Sequence, residues 1–222
     1  MPDPATWAEV DEYICDHLCP PDPTLEGALA SSQASGLPAL SVSPPQGKFL
    51  NVLAAAIGAR RILEVGTLGG YSTIWLARAL PADGRVISLE LEETHARVAR
   101  ANLDRAGVSD RAEVRIGPAL ELLPRLQHEI DQPFCLSFID ADKANIPHYF
   151  DWAVKLSRSG SLIVVDNVVR KGSLIDSRST DENVIGVRRL HELLANDRRV
   201  TATTLQTVGV KGYDGLTIAI VN

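Results

Sequence analysis

Short, continuously apolar segments alternate with helical segments from residue 61 onward, and this alternation constrains the fold more than any other feature. The apolar segments are residues 61–65, 85–91, 112–116, 135–139 and 161–165. These segments are continuously apolar and do not alternate polar with apolar residues. Strands of parallel sheets that are buried on both faces have the same pattern. The segments between them have helical periodicity. We therefore predict an α/β fold in which helices cover both faces of a mostly parallel sheet.

The C-terminal part departs from this pattern. Residues 200–208 and 216–221 resemble strands and flank Lys211-Gly212-Tyr213-Asp214-Gly215, which predicts a long hairpin. With the five apolar segments, this hairpin gives an expected seven-stranded sheet that ends in an antiparallel pair. Helices are predicted at residues 72–80, 92–106, 119–126, 147–156 and 183–195.

The N-terminal part lies outside this repeat. Asp3-Pro4 and Asp22-Pro23 each place an N-cap residue before a proline, which is a helix start signal, and Pro44-Pro45 opens a third helix. We predict that residues 1–43 form a helical arm for substrate or dimer contacts and that residues 44–222 form one domain. The first helix has an apolar face that needs a partner, either the core or a second subunit. That face consists of Trp7, Val10, Ile14 and Leu18.

Composition narrows the class of protein. The hydrophobic fraction of 45% and charged fraction of 23% are ordinary for a globular chain, and the net charge of −6 argues against nucleic-acid binding. Three cysteines, Cys15, Cys19 and Cys135, do not form a disulfide framework. No apolar run is long enough for a membrane span, and no secretory signal is visible. We expect a cytoplasmic protein with neither nucleic-acid nor membrane partners.

A glycine-containing turn after the first predicted strand indicates a nucleoside site. Gly66, Gly69 and Gly70 allow a tight turn and a close approach of ligand to backbone. Glu90, at the end of the second strand, has the position of an acid that bonds both ribose hydroxyls. The spacing is not that of dinucleotide-binding turns, and Glu64 would repel phosphate, so S-adenosylmethionine is favoured. The alternative is that the glycines only pack the helix against the strand.

Two further strand ends carry oxygen ligands. Asp140 and Asp166 end strands at the same edge of the sheet as the glycine turn, and Asn167 adds an amide oxygen. Such ligands suit Mg²⁺ or another hard divalent ion such as Mn²⁺ or Ca²⁺. Lys143 is placed to take a proton as general base. Alternatively, Asp166-Asn167 is a turn or cap and Lys143 a solvated charge, and Asp142 is either a cofactor contact or an exposed acid.

At these residues the chain resembles the cation-dependent class I O-methyltransferases, which include catechol and caffeoyl-CoA O-methyltransferases. The resemblance covers about residues 38–222, and its motifs occur in the order typical of the family. These motifs are Pro45-Gln46-Gly47-Lys48-Phe49-Leu50, Glu64-x-Gly66-x-x-x-Gly70-Tyr71-Ser72, Asp83-Gly84-Arg85-Val86, Gly117-Pro118-Ala119-Leu120, Phe138-Ile139-Asp140-Ala141-Asp142-Lys143 and Asp166-Asn167. Asp140-Ala141-Asp142-Lys143 is more similar to the caffeoyl-CoA and bacterial branch than to the animal catechol enzyme.

The resemblance implies a Rossmann-like class I fold and methyl transfer from S-adenosylmethionine to a phenolic hydroxyl held on a metal. It implies Asp140, Asp166 and Asn167 as metal ligands, with Lys143 and Asp140 catalytic, and it implies a homodimer. The implied cofactor contacts are Val42, Glu64, Gly66, Thr67, Ser72, Glu90, Ala119 and Asp142. One departure is Leu68-Gly69 in the turn, where the caffeoyl-CoA branch has an aromatic residue followed by threonine.

A phenol with two adjacent hydroxyls fits such a metal site best, because both oxygens can chelate one ion. Arg170 and Lys171 either meet an anionic substrate tail or form a solvated face, and Tyr149 and Trp152 are predicted to be packing residues. Alternative functions are a methyltransferase acting on RNA or protein, and a non-catalytic cofactor-binding protein of the same fold. The wrong glycine spacing disfavours a dinucleotide oxidoreductase.

Overall fold

A computed structural model describes residues 3–222 and contains one seven-stranded sheet in the order β3-β2-β1-β4-β5-β7-β6. The strands β1 to β5 pair in parallel, and β7 is antiparallel to both β5 and β6. The predicted fold class is therefore confirmed. The strand order reverses between β1 and β4, which opens a crevice at the carboxyl ends of these strands.

The bounds of the elements agree closely with the predicted ones. The strands are β1 Arg61–Val65, β2 Arg85–Glu90, β3 Ala112–Ile116, β4 Phe134–Ile139, β5 Ser157–Asp166, β6 Val200–Gly209 and β7 Gly212–Val221. The helices are α1 Pro4–Leu18, α2 Pro23–Ala34, α3 Pro44–Ala56, α4 Tyr71–Arg78, α5 Glu93–Arg105, α6 Ala119–Glu129, α7 Ile146–Lys155 and α8 Glu182–Asn196. Short 3₁₀ segments lie at Lys143–Asn145 and Arg170–Ile175.

Two strands differ from the expected boundaries. β5 begins at Ser157, four residues before the apolar run, and the register with β4 shifts between Phe134 and Leu136. The hairpin turn is also tighter than expected, because Gly212 already belongs to β7 and pairs with Gly209. Neither extension is a continuous apolar run, and Ser157 and Gly212 join the sheet by pairing with Phe134 and Gly209, which apolar periodicity does not detect.

Alternate side chains of each buried strand point to opposite faces of the sheet and pack into two hydrophobic cores, one on each face. On one face, Ile62 and Val86 pack among side chains from α2 to α5. On the other, Leu63 and Ile87 pack among side chains from α6 to α8. This two-sided burial explains why the strands are continuously apolar.

The two helices of the N-terminal arm differ in burial. No residue of α1 is buried, and Val10 and Leu18 of the predicted apolar face are 51% and 64% exposed. In α2, by contrast, Leu25, Ala28 and Ser32 are buried. The division of the chain at residue 43 stays a prediction. Within residues 3–222, no helix is both long and apolar enough to cross a bilayer.

Candidate active site

A cavity of about 970 Å³ opens at the carboxyl edge of the sheet, and most of the predicted site residues line it. Its walls come from the ends of β1, β2, β4 and β5 and from residues 39–46. Every predicted site residue except Glu64 contributes to the lining. These are Val42, Gly66, Thr67, Ser72, Glu90, Ala119, Asp140, Asp142, Lys143, Asp166 and Asn167. The nucleoside and metal positions predicted from separate motifs therefore share one cavity.

Gly66 allows the glycine turn, on the predicted nucleoside side of the cavity, to lie against Asp140, on the predicted metal side. Its φ of 99° lies in the left-handed region, and a Cβ atom there would lie 2.1 Å from the carbonyl oxygen of Asp140. Asp140 donates its backbone N–H to the carbonyl of Val65 at 2.9 Å. Only glycine permits this approach. The tight contact is thus with the neighbouring strand, in addition to any contact with a ligand.

Glu90 organises the glycine turn through its carboxylate. One oxygen accepts the backbone N–H groups of Thr67 at 3.1 Å and Leu68 at 2.7 Å. The other accepts the N–H of Glu92 at 3.0 Å and lies 3.2 Å from His95 Nδ1. A carboxylate offers about four acceptor positions. Ribose hydroxyls would therefore replace or share a contact now made by the turn or by His95.

Glu64 lies behind the cavity wall and is fully buried. The hydroxyls of Ser72 and Ser88 each donate to its carboxylate at 2.6 Å, and that of Thr73 donates as well. Burial raises the pKa of Glu64 to about 7, and the hydroxyl hydrogen bonds oppose that rise. Ser72 does line the cavity. In this structure Glu64 therefore acts on the cavity through Ser72, and its direct cofactor contact stays a prediction.

The predicted metal side of the cavity holds two carboxylates, a lysine and two amides, which belong to Asp140, Asp166, Lys143, Gln46 and Asn167. Lys143 Nζ lies 2.8 Å from Asp140 Oδ1, and the lysine side chain is 7% exposed. Gln46 Nε2 donates to Asp166 Oδ2 at 2.6 Å. Burial, and next the charge of Asp140, raise the pKa of Asp166, while Lys143 acts in the opposite direction. The positive charge of Lys143 thus offsets the negative charge of only one of the two neighbouring carboxylates.

This donor set fits a hard divalent cation. Asp140, Asp166 and Asn167 supply carboxylate and amide oxygens, which such ions prefer. The pKa of Asp166 is raised first by its burial and second by the charge of Asp140, and a divalent cation bound there would offset both effects. Across residues 3–222 no three His, Cys, Asp or Glu side chains converge, so a metal site here depends on Asn167.

Asp142 is held by neighbouring side chains at the cavity rim. It accepts hydrogen bonds from the Tyr149 hydroxyl and from Asn145 Nδ2, the latter at 2.7 Å. Burial, and next the contact with Asp142, raise the pKa of Tyr149. Tyr149 is buried in the core, as predicted for a packing residue, but it also lines the cavity.

Several cavity residues escaped the sequence analysis. Gln46 lies within the motif Pro45-Gln46-Gly47-Lys48-Phe49-Leu50, but its hydrogen bond to Asp166, 120 residues away, cannot be inferred from that motif. The others come from loops, helix starts and the hairpin, where no motif marks them. They are Asn145, Asn183, Lys211 and Asp214.

Comparison with known proteins shows the family to which this chain belongs. A family model described as O-methyltransferase matches residues 23–220. A catechol O-methyltransferase of Niastella koreensis is 52% identical over 215 residues, covering 97% of each chain. The O-methyltransferase of Bacillus cereus in complex with SAH is 55% identical with a TM-score of 0.97, covering 99% of this chain and 100% of that one. TomG of Streptomyces achromogenes in complex with SAM is 50% identical with a TM-score of 0.97, covering 100% of both. The resemblance found in the motifs is confirmed, and this chain belongs to the O-methyltransferase family.

Proposed function

We propose that this protein transfers the methyl group of S-adenosylmethionine to one hydroxyl of a catechol-like phenol. The observation that carries the proposal is the convergence of Asp140, Lys143, Asp166 and Asn167 on the cavity that also holds Glu90. The cluster around Asp140 and Lys143 can bind a hydroxyl and accept its proton, and Glu90 can bind a nucleoside. The similarity to a catechol O-methyltransferase supports a catechol as the methyl acceptor, and the similarity to structures with SAM and SAH supports S-adenosylmethionine as the methyl donor.

Asp140, Asp166 and Asn167 would hold a divalent cation, with Mg²⁺ as the first candidate. Bound there, the cation would make a phenolic hydroxyl more acidic and would bind two adjacent oxygens of the same ring. Gln46 keeps the Asp166 carboxylate oriented through its 2.6 Å hydrogen bond. Orientation of a ligand carboxylate by an outer hydrogen bond is typical of metal sites.

Lys143 is the proposed general base. Its amine lies 2.8 Å from Asp140 and is nearly shielded from bulk water. The base is the neutral amine, so the lysine must first release the proton that it carries in its ion pair with Asp140; when it then accepts the phenolic proton, Asp140 stabilises the re-formed ammonium. The transfer forms one carbon–oxygen bond to the phenol and breaks one carbon–sulfur bond of the cofactor. The proton lost by the hydroxyl ends on the lysine.

The cofactor would lie along the remaining wall. Gly66, Thr67 and Ser72 line the cavity at the glycine turn, and Glu90, Asp142 and Ala119 line it as well. Glu90 would bind the ribose hydroxyls. The Glu90 carboxylate shapes this turn through the N–H groups of Thr67 and Leu68. Cofactor binding therefore depends on Glu90 even where its contact is indirect.

The test is methyl transfer to a panel of catechols and caffeoyl-type esters, with Mg²⁺ or with a chelator. Turnover that the chelator abolishes supports the proposal. Turnover that is indifferent to the chelator removes Asp140, Asp166 and Asn167 as functional ligands but keeps the methyltransferase activity. Cofactor binding without turnover of any catechol contradicts the proposed substrate class.

Matched lysine variants test the base. Lys143→Met should lower kcat by at least about a hundredfold, since general bases contribute about 10² to 10⁴. Lys155→Met removes the same charge from the surface of α7, where Lys155 pairs with Asp151, and should leave kcat unchanged. Equal activities of the two variants would rule out Lys143 as the base.

A homodimer in the cytoplasm completes the proposal. Exposed apolar side chains of α1 lie near the β6–β7 hairpin, where Asp11 accepts the N–H of Val210 at 2.7 Å. They include Val10, Tyr13 and Leu18, with Val208 and Val210 on the hairpin. Light scattering should give twice the chain mass of 24.0 kDa, and Tyr13→Asp should shift it toward the monomer. A monomeric wild type would contradict this part of the proposal.

A further inference from the structure

Arg170 and Lys171 are adjacent basic residues, but their side chains lie in different surroundings. Arg170 lines the cavity, whereas Lys171 is exposed and does not. The Nε atom of Arg170 is buried and has no hydrogen-bond partner. Within residues 3–222, the Arg170 side chain makes no ion pair within 4.0 Å. A guanidinium in the cavity wall is thus left without a protein acceptor.

The backbone holds Arg170 in this position. Its φ of 55° is in the left-handed region, which residues other than glycine rarely adopt. Asp214 Oδ1 accepts the N–H groups of Val169 at 3.0 Å and Arg170 at 2.9 Å. The neighbouring Val168 donates to the carbonyl of Gly215 in β7. Left-handed backbone that the surroundings impose occurs often at ligand contacts.

The other cations of the cavity already have partners. Lys143 pairs with Asp140, and Lys211 Nζ donates to the carbonyl of Ala39 at 3.3 Å. Among the acids near Arg170, Asp214 is occupied by backbone N–H groups. Asp181 is exposed, and its pKa is lowered chiefly by the backbone N–H of Asn183 and only weakly by Arg170. Neither acid neutralises the Arg170 guanidinium through a hydrogen bond.

We propose that Arg170 determines substrate specificity by binding an anionic carboxylate on the phenolic ring or its side chain. The substrate class would be dihydroxylated aromatic acids, with the hydroxyls toward Asp140 and Asp166 and the carboxylate toward Arg170. A planar guanidinium binds a carboxylate through paired hydrogen bonds, which a neutral group cannot match. The inference rests on the proposed function and specifies its substrate.

The test compares 3,4-dihydroxybenzoate with its methyl ester in wild type, Arg170→Gln and Lys171→Gln. Lys171→Gln is the matched control, because both variants lose one positive charge at neighbouring residues with the same φ of 55°. The measured quantity is the ratio of kcat/KM for the acid to kcat/KM for the ester. The change in this ratio on mutation cancels the different intrinsic acidity of the two phenols.

Arg170→Gln should lower the acid-to-ester ratio by about tenfold to a hundredfold, as expected for loss of a charged hydrogen-bonded pair. The kcat/KM for the ester should fall much less than that for the acid, because an ester cannot form the paired, charged contact, and Lys171→Gln should change neither substrate. The inference is overturned if Arg170→Gln lowers both substrates alike, if it lowers neither, or if Lys171→Gln has the same effect. If wild type methylates neither compound, the proposed function itself fails, which separates the two cases.

Discussion

Replacing Glu64 by glutamine should make the protein progressively more stable than wild type as the pH rises. Glu64 is fully buried in β1 and accepts hydrogen bonds from Ser72, Thr73 and Ser88. Burial raises its pKa from 4.5 to about 7 despite these three donors. Glutamine has the same shape but no charge to lose. The variant therefore removes the titration while it preserves the packing of the strand.

The magnitude follows from the size of this pKa rise. A change from 4.5 to about 7 corresponds to about 3 kcal/mol of folding free energy. Because the folded pKa of Glu64 is the higher one, its contribution is fully present below pH 4.5 and is lost as pH rises through about 7. The unfolding free energy of wild type should thus fall by about 3 kcal/mol relative to Glu64→Gln over this window.

The assay is urea unfolding followed by tryptophan fluorescence, with the wild-type and variant free energies subtracted at each pH from about 4.5 to about 8. The subtraction cancels the other titrating groups. Glu9→Gln removes one carboxylate from the exposed surface of α1 and serves as the charge control. A difference that stays constant across this range would refute the reasoning. Glu64 would then keep its charge, and the hydroxyl donors would outweigh burial.

Three further predictions concern the surroundings of the cavity. Gly186→Ala would put a Cβ 2.1 Å from the backbone of the predicted base, so it should cost about 1–3 kcal/mol and lower kcat. Gly27→Ala, also within a helix but with its nearest atom at 3.9 Å, should instead add about 0.5–1 kcal/mol in the same urea assay; equal effects would contradict the packing argument. Gln46→Leu should weaken Mg²⁺ binding at least tenfold by calorimetry, because Asp166 loses its donor; undiminished affinity would refute that role. Glu90→Ala should weaken S-adenosylmethionine binding by about a hundredfold, and unchanged affinity would remove this carboxylate from the cofactor site.

The architecture was predictable because burial on both faces leaves a direct trace in the sequence. Ile62 and Leu63 point to opposite cores, so the strand must be apolar at both positions. Proline and capping residues marked the helix starts, as at Asp22, whose side chain accepts the N–H of Thr24. The carboxyl ends of parallel strands meet at one edge of the sheet, so the sequence alone predicts that Asp140 and Asp166 lie together.

What could not be predicted depends on contacts between distant side chains. Glu64 and Glu90 both follow the pattern of cofactor-binding acids, yet Glu64 lies behind the cavity wall and Glu90 lines it. In a strand, adjacent positions face opposite sides, but depth relative to a cavity depends on the neighbouring helix. Three hydroxyls on α4 and β2 enclose Glu64, and none of them forms a motif with it.

The glycine at position 69, where the caffeoyl-CoA branch has threonine, is explained by the packing of α2 against the turn. A Cβ on Gly69 would lie 2.0 Å from the Ser32 hydroxyl, so this close packing of α2 on the turn requires glycine. Asn102 joins the two by donating to the carbonyls of Ala28 at 3.3 Å and Gly69 at 2.8 Å. The second helix of the N-terminal arm therefore supports the glycine turn from outside, while α1 stays largely exposed. Substitutions in α2 that disturb Ser32 should consequently alter the glycine turn, and with it the proposed cofactor site, although this helix carries none of the predicted site residues.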